Sequence, residues 1–167
     1  MDNNSKFSRQ KGVAAIELAV ILLPLLILCF GITELGRALY YYNGLDKATR
    51  GAVRYLSTFD MSAPPVGETA ASIRTKAQLM AVCGSVSCNP STPLVPGLAV
   101  ANVSICDPVA CAATHKNILT GQGSVSLVTV TVGGTGNATY SFTSIVPWVI
   151  PGFSYAPVST TMASQYF

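Results

Sequence analysis

Few side chains in this chain of 167 residues are equipped for chemistry, and they fall into two groups. The first is distal: Cys83, Cys88, Cys106 and Cys111 form two Cys-x4-Cys units, and the single histidine, His115, stands four positions after the last of them. Asp60, Glu68 and Asp107 are the acids beyond residue 59. Cys111 and His115 could pair as nucleophile and base. Cys111 has a nearby cysteine to oxidise with, however, and no base, orienter and nucleophile set can be assembled, so the sequence points away from an enzyme. Cys-x4-Cys also falls within finger-like zinc spacing, but the loop prolines and the exported setting argued below favour disulfides. Three connectivities stay open, and neither a metal nor a cofactor is expected. The second group is one residue, Glu17, an acid inside an apolar run and five positions after Gly12.

Glu17 is carried by the stretch RQKGVAAIELAVILLPLLILCFGITE, residues 9–34. About 20 apolar residues at 1.5 Å each cross a roughly 30 Å hydrocarbon core. A cleavable secretory signal would have a shorter apolar core and a small-x-small site after it; this run ends Cys29-Phe30-Gly31-Ile32-Thr33-Glu34 and offers none. A retained membrane anchor is the better reading. Lys6, Arg9 and Lys11 precede it within a few residues, which sets the amino terminus in the cytoplasm and residues 35 to 167 outside. Cys29 lies within the span as a small apolar residue. Pro24 interrupts the run midway, where neighbours can satisfy the carbonyl that it frees. A carboxylate inside such a run costs a few kcal/mol and marks a function or a partner, although Glu17 is close enough to Gly12 to snorkel to the headgroups.

Half of the residues are apolar and only 10% are charged. From residue 60 onward the charges reduce to Asp60, Glu68, Arg74, Lys76, Asp107 and Lys116. The net charge of +3 thus comes from the leader and the first helix. It makes no basic face interleaved with aromatics, so nucleic acid is not an expected partner.

Beyond the anchor, Leu35, Ala38, Leu39, Tyr42, Leu45, Thr49, Ala52, Val53 and Leu56 keep the 3-and-4 spacing of an amphipathic helix, with Tyr40 to Tyr42 placed as an aromatic belt. Phe59 to Gly67 reads as a linker and Thr69 to Val82 as a second helix. Strands are expected over Val100–Cys106, over residues 124–132, over Ala138–Ile145 and over Val158–Tyr166. The second and third of these are expected to pair as a hairpin through Gly133–Asn137. Gly121-Gln122-Gly123 is a turn and no phosphate loop. Val146 to Phe153, with Trp148, Val149, Ile150 and Phe153, is an apolar loop that is either a contact surface or core. The fold class is α+β: a long helix packed on a small antiparallel sheet, with disulfide-stapled loops.

The Gly12/Glu17 pair, the LLPLL centre, the Glu34-Leu35-Gly36-Arg37 exit and the helix from Ala48-Thr49-Arg50 to Arg54-Tyr55 together resemble the amino-terminal module of TadE-like proteins. These are pseudopilins of the tight-adherence (Flp, type IVc) pilus systems. The resemblance covers about 45 residues and does not separate TadE from its TadF sister. It implies a cytoplasmic prepilin leader over 1–12 and cleavage between Gly12 and Val13 by a membrane prepilin peptidase. A transmembrane helix over 13–33, its amphipathic continuation over 34–59 and an exported pilin-like head over 60–167 would follow. It further implies that Glu17 pairs with the terminal ammonium of a neighbouring subunit, which offsets the burial of each charge. The implied partners are the inner membrane, other pilins or pseudopilins and the pilus assembly platform. The competing reading is a single-span, signal-anchored binding protein that is not processed.

Overall fold

The computed structural model describes residues 4–121, 123–134 and 139–165, the side chains of 4–11 excepted. Lys6, Arg9 and Lys11 thus have their side chains outside the described residues, and the turn expected at Gly133–Asn137 is described only as far as Gly134. The chain divides into two compact units: residues 1–38 with 143–152, and residues 39–142 with 153–167.

Helix α1 (Asn4–Ser57) starts upstream of Gly12, carries Pro24 in its interior, and contributes to both units. Its part in the second unit follows the expected stripe. Leu45, Ala48, Thr49, Ala52, Val53 and Leu56 are buried, while Arg50 and Arg54 are exposed. Two of the three consecutive tyrosines depart from the expected belt. Tyr41 packs edge-on against Phe142, with ring centroids 5.8 Å apart, and Tyr42 lies 6.2 Å from Tyr155. Tyr40 is exposed.

Helix α2 (Ala70–Cys83) begins where its sequence dictates. The Thr69 hydroxyl accepts from the Ser72 amide at 3.1 Å, and the Ser72 hydroxyl accepts from the Thr69 amide at 2.9 Å. Two otherwise orphaned donors are satisfied by this capping box. The helix stops at Gly84, whose φ of 78° is the left-handed conformation that glycine supplies without a Cβ penalty.

The main sheet holds three antiparallel strands in the order β1 (Val103–Cys106), β4 (Leu127–Val132) and β7 (Val158–Ala163). Strand β4 alternates, with Val128, Val130 and Val132 buried, which is the period-2 pattern of a sheet with one face on a core. Those valines meet Leu45, Val53 and Leu56 of α1 and Ile73, Ala77, Ala81 and Val82 of α2 in one cluster. Across it, the hydroxyls of Thr49 and Thr160 pair at 2.9 Å. A long helix laid on a small antiparallel sheet is the α+β architecture anticipated.

The expected hairpin is not formed. Both edges of β4 are taken, by β1 over four residue pairs and by β7 over six, so no edge is left for a returning strand. Ser141–Phe142 (β5) pairs with Phe153–Ser154 (β6) instead. The expected strand over 124–132 also breaks at Ser126, because β3 (Gly123–Val125) turns back on β2 (Ile118–Thr120) through Gly121. Strand β1 starts later than expected: residues 100–102 form a 3-10 turn, in which the Asn102 side chain accepts the Ala99 amide at 2.9 Å. An Asn side chain that offers the backbone such a local partner competes with the sheet ladder.

Candidate functional site

In the first unit, every residue from 12 to 30 is exposed, Glu17 among them. Ile16 and Val20 are each two-thirds exposed, and a Cβ added at Gly12 would meet nothing within 4 Å. A soluble protein's core helix buries such a stripe. Here α1 is the one helix among the described residues that is long and apolar enough to cross a membrane, and its apolar half is left uncovered by the chain itself. Hydrocarbon or other apolar helices are the surroundings that such a surface requires.

The apolar run ends in a charged latch. The Arg37 guanidinium donates to the Glu34 carboxylate at 2.7 Å and to the Thr143 carbonyl at 2.8 Å. Glu34 accepts the Ile145 amide at 3.1 Å and is itself buried. Val149 sits 3.6 Å from where a Cβ on Gly31 would lie, an ordinary packing distance that sets the loop against α1 there. The loop, residues 143–152, is thereby bolted beside the last turn of the apolar run. Of the alternatives open for Trp148, the structure takes the exposed one: its side chain is 68% exposed. Phe153 belongs to the other unit, where its ring lies 5.3 Å from that of Phe142.

The distal cysteines form Cys83–Cys88 and Cys106–Cys111, with Cα atoms 6.3 and 5.4 Å apart, inside the usual disulfide range. Both bridges are the local ones, and each closes a short loop that contributes about 2 kcal/mol on the chain-entropy model. Cys29 is free and exposed. Cys106, Cys111 and His115 present their ligand atoms within 4.8 Å of one another. In the disulfide, however, the two sulfurs are bonded to each other and supply no thiolate to a metal. His115 is held by hydroxyls: Thr114 at 2.8 Å on Nδ1 and Thr129 at 2.8 Å on Nε2.

Each acid of the distal domain has a structural partner. Asp60 accepts the Ser62 amide at 2.8 Å. Glu68 pairs with Lys76 and with the Ser72 hydroxyl, which together hold its carboxyl below the usual range. Asp107 is fully buried. Its two oxygens take the Arg74 guanidinium at 2.5 and 3.0 Å, and one of them also takes the amides of Val109 and Ala110, each at 2.8 Å. Burial pushes that carboxyl up, but Arg74 and the two amides outweigh it, and the net displacement is downward. The Asp107 carbonyl accepts the Cys111 amide at 2.9 Å, so this one residue ties the second disulfide loop to α2.

Residues 12–54 match the family model of the TadE-like protein. That segment is TadE-like. Neither the curated proteins nor the solved structures contain a match to the chain. The TadE-like segment takes in Gly12, Glu17, the Glu34/Arg37 latch and most of the helix that packs on the sheet, and it stops before both disulfides. Its apolar helix is consistent with a single-pass membrane protein. Sequence reasoning took Glu34 and Arg37 as part of the family pattern and did not assign them the loop. An opposite-charge pair three positions apart at the end of an apolar run was the available signal.

Proposed function

We propose that this chain is a minor pilin or pseudopilin of a Tad (Flp, type IVc) pilus. Processed between Gly12 and Val13, it would be held in the inner membrane by residues 13–33 with residues 35–167 outside. It works through protein–protein contacts between pilin-like helices and carries out no catalysis. The observation behind this reading is an uncovered apolar helix with one acid, Glu17, five residues after Gly12, inside a segment that matches the TadE-like family. The basic flank of Lys6, Arg9 and Lys11 favours a cytoplasmic start, and two disulfides suit the oxidising side of the membrane.

The chemistry assigned to Glu17 is charge neutralisation. Once the bond after Gly12 is cut, Val13 carries an ammonium, and a neighbouring subunit's Glu17 can meet it in lipid. Each ion alone costs several kcal/mol there, and the pair costs less. Replacing Glu17 with Val tests this directly. The variant should insert at least as well as the wild type, because it has lost an intramembrane charge, yet fail to support pilus assembly. Normal pilus assembly by Glu17→Val would contradict the assigned role and leave a plain single-span anchor.

A further inference from the structure

Resting on the single-span reading of α1, we propose that residues 143–152 form an interfacial membrane anchor. The loop would place the indole of Trp148 and the side chain of Ile145 at the headgroup–acyl boundary of the outer leaflet. Position comes first. The loop is fixed to α1 at Gly31, Glu34 and Arg37, the turn in which the apolar run gives way to charge. If α1 spans the bilayer, that turn lies at the membrane–water boundary, and the loop lies there with it. Its contacts run along that turn: Thr143 and Ile145 are held at the charged end, and Val149 at Gly31, two residues inside Thr33.

Chemistry comes second. The sequence Thr-Ser-Ile-Val-Pro-Trp-Val-Ile-Pro-Gly contains no ionisable side chain. Ile145 and Trp148 stand out at 73% and 68% exposure, and Leu28, Ile32 and Leu35 of α1 are exposed as well. The loop, packed on α1 at Gly31 and Glu34, thus adds exposed apolar side chains at the end of an exposed apolar run. Tryptophan, with an apolar body and one N–H, is the residue that interfaces favour.

The backbone is also prepared for a poorly hydrated layer. The Val149 and Ile150 amides both bond to the Val146 carbonyl, at 3.0 and 3.2 Å. The Ile145 amide goes to Glu34 and the Val146 amide to the Ser144 hydroxyl, at 3.1 Å each. Pro147 and Pro151 have no N–H to satisfy. Backbone polar groups at membrane depth are costly unless they are satisfied, and these four amides are.

Trp148 is the only tryptophan in the chain, so its fluorescence reports on this loop alone. The full chain would be reconstituted at high lipid-to-protein ratio in phosphatidylethanolamine/phosphatidylglycerol vesicles, part of the lipid carrying bromine at a defined acyl depth. The expected result is blue-shifted emission, loss of intensity with bromine near the carbonyl end of the acyl chains, weaker loss with bromine at the bilayer centre, and protection from aqueous iodide. Emission that iodide quenches and bromolipid does not, in a chain that resists alkaline extraction, overturns the loop proposal and leaves the span intact. A blue shift that appears only at high protein density, without bromolipid quenching, also overturns it, because a second protein and not lipid then covers Trp148. Release of the chain by alkaline extraction overturns the span reading and the loop proposal together.

Discussion

The Glu34 carboxylate accepts the backbone amide of Ile145 at 3.1 Å, joining two residues 111 positions apart in sequence. Arg37 completes the latch by donating both to Glu34 and to the Thr143 carbonyl. An otherwise irregular loop is thereby held by one carboxylate and one guanidinium. Replacing Glu34 with Ala removes the acceptor of the Ile145 amide and one of the partners of Arg37. Hydrogen exchange at Ile145, Val149 and Ile150 should then speed up together in the detergent-solubilised full chain, with α2 and β4 unchanged. Exchange that stays at the wild-type rate in Glu34→Ala would show that the latch does not hold the loop.

The pairing of the half-buried Arg74 with the buried Asp107 gives a pH-dependent prediction. Removing one partner of a buried ion pair typically costs about 3 kcal/mol, because the other charge is left without compensation. Arg74→Met should therefore lower the stability of the full chain by about that amount near neutral pH. The carboxyl of Asp107 is held below its ordinary value in the folded protein. A depressed carboxylate contributes stability that is fully present above its unfolded value of about 3.9 and is lost as pH falls through the lower, folded-state value. The gap between wild type and Arg74→Met should accordingly close in acid. Denaturant titrations across that range measure it; a gap that is constant with pH would mean that Arg74 contributes packing alone.

Gly44 tests the packing of α1 on the head. A Cβ there would lie 2.7 Å from Cγ2 of Val95, a buried and β-branched side chain. Alanine improves helix propensity by about 1 kcal/mol over glycine, whereas overpacking a core costs about 1–3 kcal/mol. Gly44→Ala should therefore be destabilising on balance, and should become stabilising by about 1 kcal/mol in a Val95→Ala background. Equal effects in the two backgrounds would show that Val95 is not what glycine accommodates.

Much of this fold was legible in the sequence because it is local. The stripe from Leu45 to Leu56 is a 3.6-residue period, and the alternation of Val128, Val130 and Val132 is a 2-residue period. Pairing was less legible. The strand after β4 in sequence appeared to be its partner, whereas β1 and β7, distant in the chain, occupy its edges. Alternation says which face of a strand is buried and nothing of which strand lies beside it. The candidate membrane site divided along the same line. Gly12 and Glu17 could be picked out because a short local pattern resembles that of a known family, but the employment of Glu34 and Arg37 depends on a loop more than 100 residues away.

The central claim is that this chain enters the membrane as a prepilin and is cut to expose Val13. The most direct measurement is the mature amino terminus of the membrane-bound protein, by intact mass and terminal peptide mapping, with and without a prepilin peptidase. The account predicts a chain that starts at Val13 only when the peptidase is present. A chain that keeps Met1 in its presence, or one cut beyond Phe30, would contradict it.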